Sequence, residues 1–140
     1  MRSNRPILLV DDDNADVMTV RRALDELNVP NELIHHFDGE NALKYLRKNA
    51  NKVPCVILLD LNMPKMSGTD FLTAIKKDPQ LRQIPVIILT ISNGDTDRDK
   101  CFELCAAGYI VKPATYNGLL EAIKILDNYW TLSELPLPDA

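Results

Sequence analysis

Apolar residues along this chain fall into short unbroken runs, separated by stretches in which they recur every three or four positions. The clearest run, Val56-Ile57-Leu58-Leu59, ends on a single carboxylate, Asp60. An apolar run of about four to eight residues bounded by turn signals reads as a strand buried on both faces. Such strands belong to parallel sheets covered by helices on both sides. Ile7 to Val10, Ile84 to Thr90 and Tyr109 to Lys112 have the same character, and the more polar Glu32 to Phe37 reads as a strand nearer an edge. Between the runs lie helical patterns. Val17, Val20, Leu24 and Leu27 predict a helix over Ala15 to Leu27, capped by Asp13 or Asn14. Ala42, Leu43 and Leu46 mark a second helix starting at Asp38-Gly39, and Phe71, Leu72 and Ile75 a third, capped by Ser67 and ending near Asp78-Pro79. A weaker helix is predicted over Asp97 to Ala107, with Gly108 as its stop, and a last one over Tyr116 to Trp130. Five strand–helix units in alternation imply one α/β domain: a doubly wound, five-stranded parallel sheet with right-handed crossovers and helices on both faces.

Composition narrows the function classes. A chain of 140 residues, 46% hydrophobic and 26% charged, is about one soluble globular domain. Its net charge is −4 and Lys and Arg do not cluster, which argues against nucleic acid as a direct partner. No run approaches the ~20 apolar residues of a membrane span, and the N-terminus lacks the apolar core of a signal peptide. The expected location is the cytoplasm, and no membrane contact is expected. Cys55, Cys101 and Cys105 are read as reduced, semi-buried thiols, the last two sharing a helix face.

The strand ends carry the candidate chemistry. Asp11 and Asp12 follow the first run, Asp60 the third, Thr90 closes the fourth and Lys112 the fifth. In a parallel sheet these ends share one edge, where open α/β sheets bind ligands. Carboxylates crowded there repel one another unless a cation joins them, and Mg²⁺ prefers such oxygen ligands. A carboxylate is also a competent nucleophile towards a phosphoryl group, and a lysine and a hydroxyl are suited to neutralise the transferring oxygens. Met63-Pro64 forces an extended turn after Asp60, and Gly68 allows a close backbone approach.

These residues, in the segments L-V-D-D-D, L-L-D-L-N-M-P-K-M-S-G, I-I-L-T and G-Y-I-V-K-P, resemble the receiver domain of two-component response regulators, in the single-domain, chemotaxis-regulator-like form. The resemblance covers about residues 6 to 128, within a receiver domain taken as 6–130 and followed by a Pro/Leu-containing tail, 131–140. It implies the flavodoxin-like strand order 2-1-3-4-5 and a cytoplasmic phosphorelay switch, phosphorylated on Asp60 by a sensor histidine kinase. It further implies Mg²⁺ held by Asp12 and Asp60, by Asp11 mainly through water, and by the Asn62 backbone carbonyl. Lys112 would pair with the phosphoryl oxygens, Thr90 would move towards them, and Tyr109 would be the aromatic switch. The protein would be a phosphoacceptor rather than an enzyme in the usual sense.

Other residues receive quieter readings. Asp13 is taken as a capping or turn residue. His35 and His36, adjacent on a strand, face opposite ways and are read as strand residues. Ile91 is bulkier than the small residue common after the switch threonine, and is expected to narrow access to the site. In the last helix Leu119, Ile123, Leu126 and Trp130 form one stripe, with Leu120, Ile125 and Tyr129 off it. A helix apolar on more than one face needs two partners, so a homodimer through this helix and the tail is expected. The tail, with Leu132, Leu135 and Leu137, is too short for an output domain. The helix end and Pro-Leu tail resemble phytochrome-associated response regulators, which implies a phytochrome kinase as donor. The alternative is a pseudo-receiver that binds proteins without phosphorylation. An aspartate-nucleophile phosphatase would place its nucleophile after the first strand, and a flavin carrier would not present three aspartates to a phosphate.

Overall fold

The computed structural model describes residues 4–133. Five strands, β1 (Ile7–Val10), β2 (Leu33–His36), β3 (Val56–Leu59), β4 (Val86–Thr90) and β5 (Gly108–Val111), form one parallel sheet in the order β2-β1-β3-β4-β5. They alternate with α1 (Asn14–Glu26), α2 (Gly39–Lys48), α3 (Gly68–Lys77), α4 (Asp95–Glu103) and α5 (Tyr116–Leu132). This is the expected flavodoxin-like topology.

Strand alternation divides the core in two. Leu8, Val10, Ile57, Leu59, Val86 and Ile88 face α2, α3 and α4, where they meet Leu46, Phe71 and Ile75. Ile7, Leu9, Val56, Leu58, Ile87 and Leu89 face α1 and α5, meeting Val20, Leu24, Leu119, Ile123 and Trp130. Each such side chain, fully buried, contributes about 1.5–3 kcal/mol relative to exposure. That is why the central strands read as continuous apolar runs. The more polar β2 lies at the sheet edge, with all four residues half-buried.

Asp13, one of the two expected caps, is the N-cap of α1 and accepts from the Ala15 and Asp16 amides. Ser67 caps α3 as expected, and α2 starts at Gly39 with Asp38 as its N-cap. Strand β4 starts at Val86 rather than Ile84, after Pro85, which has no amide hydrogen for the ladder.

The fourth helix departs from expectation. It runs over Asp95–Glu103 rather than Asp97 to Ala107, and Gly108 is not its stop but the first residue of β5. Cys105 takes the left-handed turn instead, with φ 65°. The Ala106 amide donates to the Cys101 carbonyl at 2.9 Å and the Cys105 amide to Phe102 at 3.0 Å. These two bonds make a Schellman motif. Cys105 is therefore exposed beyond the helix end and does not share its face with Cys101; Cys55 and Cys101 are buried, and all three are free thiols. Thr131 and Leu132 continue α5, whereas residues 134–140, with Leu135 and Leu137, lie outside the described residues.

Candidate functional site

The sheet register assembles the site. Val10 lies opposite Leu59, so Asp11 and Asp60 leave adjacent parallel strands at the same level, and the Asp60 amide donates to the Val10 carbonyl at 2.9 Å. Strand order reverses between β1 and β3, the switch point at which open α/β sheets bind ligands. Thr90 pairs with Val111 in register, and the Lys112 amide donates to the Thr90 carbonyl at 2.7 Å. The lysine is thus anchored at the same edge.

Oxygens from Asp11, Asp12 and Asp60 lie within 4.8 Å of one another. Asp11 and Asp60 are buried and Asp12 is exposed. Lys112 Nζ lies 3.0 Å from Asp11 Oδ2, 3.6 Å from Asp60 Oδ2 and 2.6 Å from Asp16 Oδ2. Burial raises the Asp11 pKa and the Asp60 charge adds to this, while the Asp13 amide and Lys112 oppose it. For Lys112, burial disfavours the ammonium, but hydrogen bonds to Asp16 and Asp11 and the charges of Asp11 and Asp60 outweigh it and raise its pKa. Three carboxylates, Asp11, Asp16 and Asp60, therefore face one ammonium, and Asp12 adds a fourth negative charge beside Asp11 and Asp60. A compact set of hard oxygen donors carrying excess negative charge fits a divalent cation such as Mg²⁺.

Surrounding groups fix this arrangement. The Asp13 amide donates to Asp11 Oδ1 at 2.9 Å. His35 Nε2 lies 2.8 Å from the Asp11 carbonyl, which can only accept, so that ring nitrogen carries the hydrogen. His36 faces the other way, towards Tyr45. The Asn62 amide donates to Asp60 Oδ1 at 3.4 Å. Gly68 sits so close that a Cβ there would lie 2.5 Å from the Asp60 carbonyl oxygen. Its amide donates to the Leu61 carbonyl at 2.9 Å, closing the turn through Met63-Pro64.

Thr90 is fully buried at the end of β4, and its Oγ1 accepts from the Ser92 amide at 3.4 Å. Tyr109 stands apart from the acidic cluster. Its hydroxyl donates to the Ser92 carbonyl at 2.9 Å, and its ring packs on the α3–α4 side of the core. Ile91 is 71% exposed, pointing to solvent.

Asp11, Asp12, Asp60 and Lys112 thus come together as the sequence suggested. Asp16 and His35 were not foreseen in these contacts. Asp16 reads in sequence as an acidic residue of the first helical turn, and its bond to Lys112 spans 96 positions.

Residues 7–124 match the response regulator receiver domain, and the chain belongs to that family. It is a signalling-switch fold, related to the regulators of phytochromes. The response regulator Rcp1 of Synechocystis is 35% identical over 144 residues, covering 99% of this chain and 97% of that protein. The crystal structure of the phosphorylated cyanobacterial phytochrome response regulator RcpA superposes with a TM-score of 0.89 at 36% identity, covering 96% of this chain and all of that one. The Mn²⁺-bound form of Rcp1 gives a TM-score of 0.85 at 33% identity, with 95% and 99% covered.

Proposed function

We propose that this chain is a single-domain response regulator that accepts a phosphoryl group on Asp60 from a histidine kinase, with Mg²⁺, and signals through protein contacts. The observation that carries the reading is the placement of the Asp60 carboxylate at the sheet edge, clustered with Asp11 and Asp12 and 3.6 Å from Lys112 Nζ. A carboxylate oxygen of Asp60 attacks phosphorus. The P–N bond to the donor histidine breaks, and the released imidazole keeps the electron pair and takes a proton. Asp12 and Asp60, Asp11 through water, and the Asn62 carbonyl would hold the ion. When bound, Mg²⁺ offsets charge on the transferring oxygens. Lys112 neutralises the remaining phosphoryl charge, and the Thr90 hydroxyl leaves its Ser92 contact to donate to a phosphoryl oxygen. Tyr109 follows because it is tied to the same loop through the Ser92 carbonyl. New charge-assisted bonds at one point thereby bias a two-state element.

The donor in this proposal is a phytochrome kinase, supported by the likeness to RcpA and Rcp1. The output includes homodimerisation through α5, where Ile125, Tyr129 and Leu132 expose apolar surface. Among the described residues no helix is long and apolar enough to cross a membrane, which accords with a cytoplasmic switch.

The test is intact-mass measurement after incubation with acetyl phosphate. A gain of one phosphoryl group that needs Mg²⁺ and is lost in Asp60→Asn is the expected result. No gain from acetyl phosphate or from a cognate kinase refutes the reading and leaves a pseudo-receiver.

A further inference from the structure

The shortest polar contact of the Lys112 side chain is not to a carboxylate of the metal cluster but to Asp16, at 2.6 Å. Both partners are held by their backbones. Asp16 lies in the first turn of α1, where its amide donates to the capping Asp13 at 3.3 Å. Lys112 is fixed by its amide bond to Thr90 at 2.7 Å. The Lys112 side chain is 11% exposed and that of Asp16 38%, so the pair is largely closed to solvent on the lysine side and more open on the other. Asp60, at 3.6 Å, lies a further ångström away. By 1/r, its pull on the ammonium is about 0.7 of that from Asp16.

We propose that Asp16 is a positioning residue: it is the nearest counter-ion of Lys112 in the unphosphorylated protein and, with Asp11 at 3.0 Å, biases the ammonium away from Asp60 until a phosphoryl group there draws it across. The inference rests on the phosphoacceptor reading. With the lysine parked on Asp16, the Asp60 carboxylate is left to the cation and the incoming phosphorus. A phosphorylated side chain carries roughly −1.5 to −2 charges, more than the bare carboxylate, so the balance between the two positions reverses. The Asp16 bond is then made in the resting state and weakened in the phosphorylated one. Removing it destabilises the first state more than the second, and so favours the second. A pair that merely ties α1 to the loop after β5 would persist in both states and shift nothing.

Beryllofluoride, which mimics a phosphoryl group on a carboxylate, reads this difference directly. Its affinity is measured by calorimetry at saturating Mg²⁺ for wild type, Asp16→Asn, Asp16→Glu and Asp60→Asn, with thermal melts alongside. Asp16→Asn is expected to bind about 2- to 5-fold more tightly, the range for loss of one half-exposed ion pair. Asp16→Glu, which keeps the charge, is expected to stay near wild type. Unchanged or weaker binding by Asp16→Asn, whether or not its melting temperature falls, overturns the parking role while leaving the phosphoacceptor reading standing. Absence of Asp60-dependent binding in the wild type overturns both.

Discussion

Gly68→Ala puts one methyl group into the turn that supports Asp60. The added Cβ would lie 2.5 Å from the Asp60 carbonyl oxygen, 2.6 Å from Leu61 Cα and 2.9 Å from Leu61 Cδ2. Favourable carbon contacts lie at about 3.5–4.0 Å, so the neighbours must retreat by about an ångström. The two shortest contacts are backbone, which cannot rotate aside. Asp60 also follows directly on β3, whose residues are fully or almost fully buried. Inserting a methylene into such packing costs about 1–3 kcal/mol, and more where backbone must move. Alanine's lower unfolded-state entropy returns about 0.4–1 kcal/mol. The net expectation is a loss of about 2 kcal/mol, or roughly 4–8 °C in melting temperature for a domain near this size. Because the collision is with Asp60 itself, phosphorylation by acetyl phosphate should slow as well. Thermal melts and intact-mass time courses measure the two effects. An unchanged melting temperature with a full phosphorylation rate would refute the account of this glycine as a close-approach position.

Two further outcomes follow from the described surface and core. Burial pushes the Cys55 thiol up to about 11, so little thiolate forms there until the pH approaches that value. A disulfide reagent at pH 8 should therefore modify exposed Cys105 at once, and Cys55 and Cys101 only after denaturant is added; three fast thiols would contradict the core as described. On α5, Ile125→Glu combined with Tyr129→Glu places charge on two side chains that are 66% and 58% exposed. Light scattering after gel filtration should show the wild type as the proposed dimer and this variant as a monomer, with stability within about 0.5 kcal/mol of wild type, the range of ordinary surface changes. A monomeric wild type, or a variant that still dimerises, would exclude this face.

The local physics of the chain is strong where burial is complete. Ile7–Val10 and Val56–Leu59 bury both strand faces, so no polar residue fits there and the runs announce themselves. The carboxylates that end them are legible for the same reason, since a parallel sheet leaves its strand ends as the first place for charge. The end of α4 was not legible in this way. Gly108 is the residue best suited to a left-handed turn, yet Cys105 adopts it. Glycine at 108 serves β5, where an added Cβ would meet Ile87 Cδ1 at 3.2 Å. Tertiary packing of the next strand overrode local preference.

From sequence alone came the α/β alternation, the sheet-edge position of Asp11, Asp12, Asp60, Thr90 and Lys112, and the oxygen-rich chemistry of that edge. These are periodic or terminal features, encoded by neighbours a few residues apart. Only the tertiary structure decided which carboxylate holds Lys112 most closely, that His35 supports the Asp11 backbone, and that Tyr109 is tied to the Ser92 carbonyl. Each is a contact between segments distant in the chain. Its geometry depends on strand register and helix placement to within about an ångström, which local pattern does not carry.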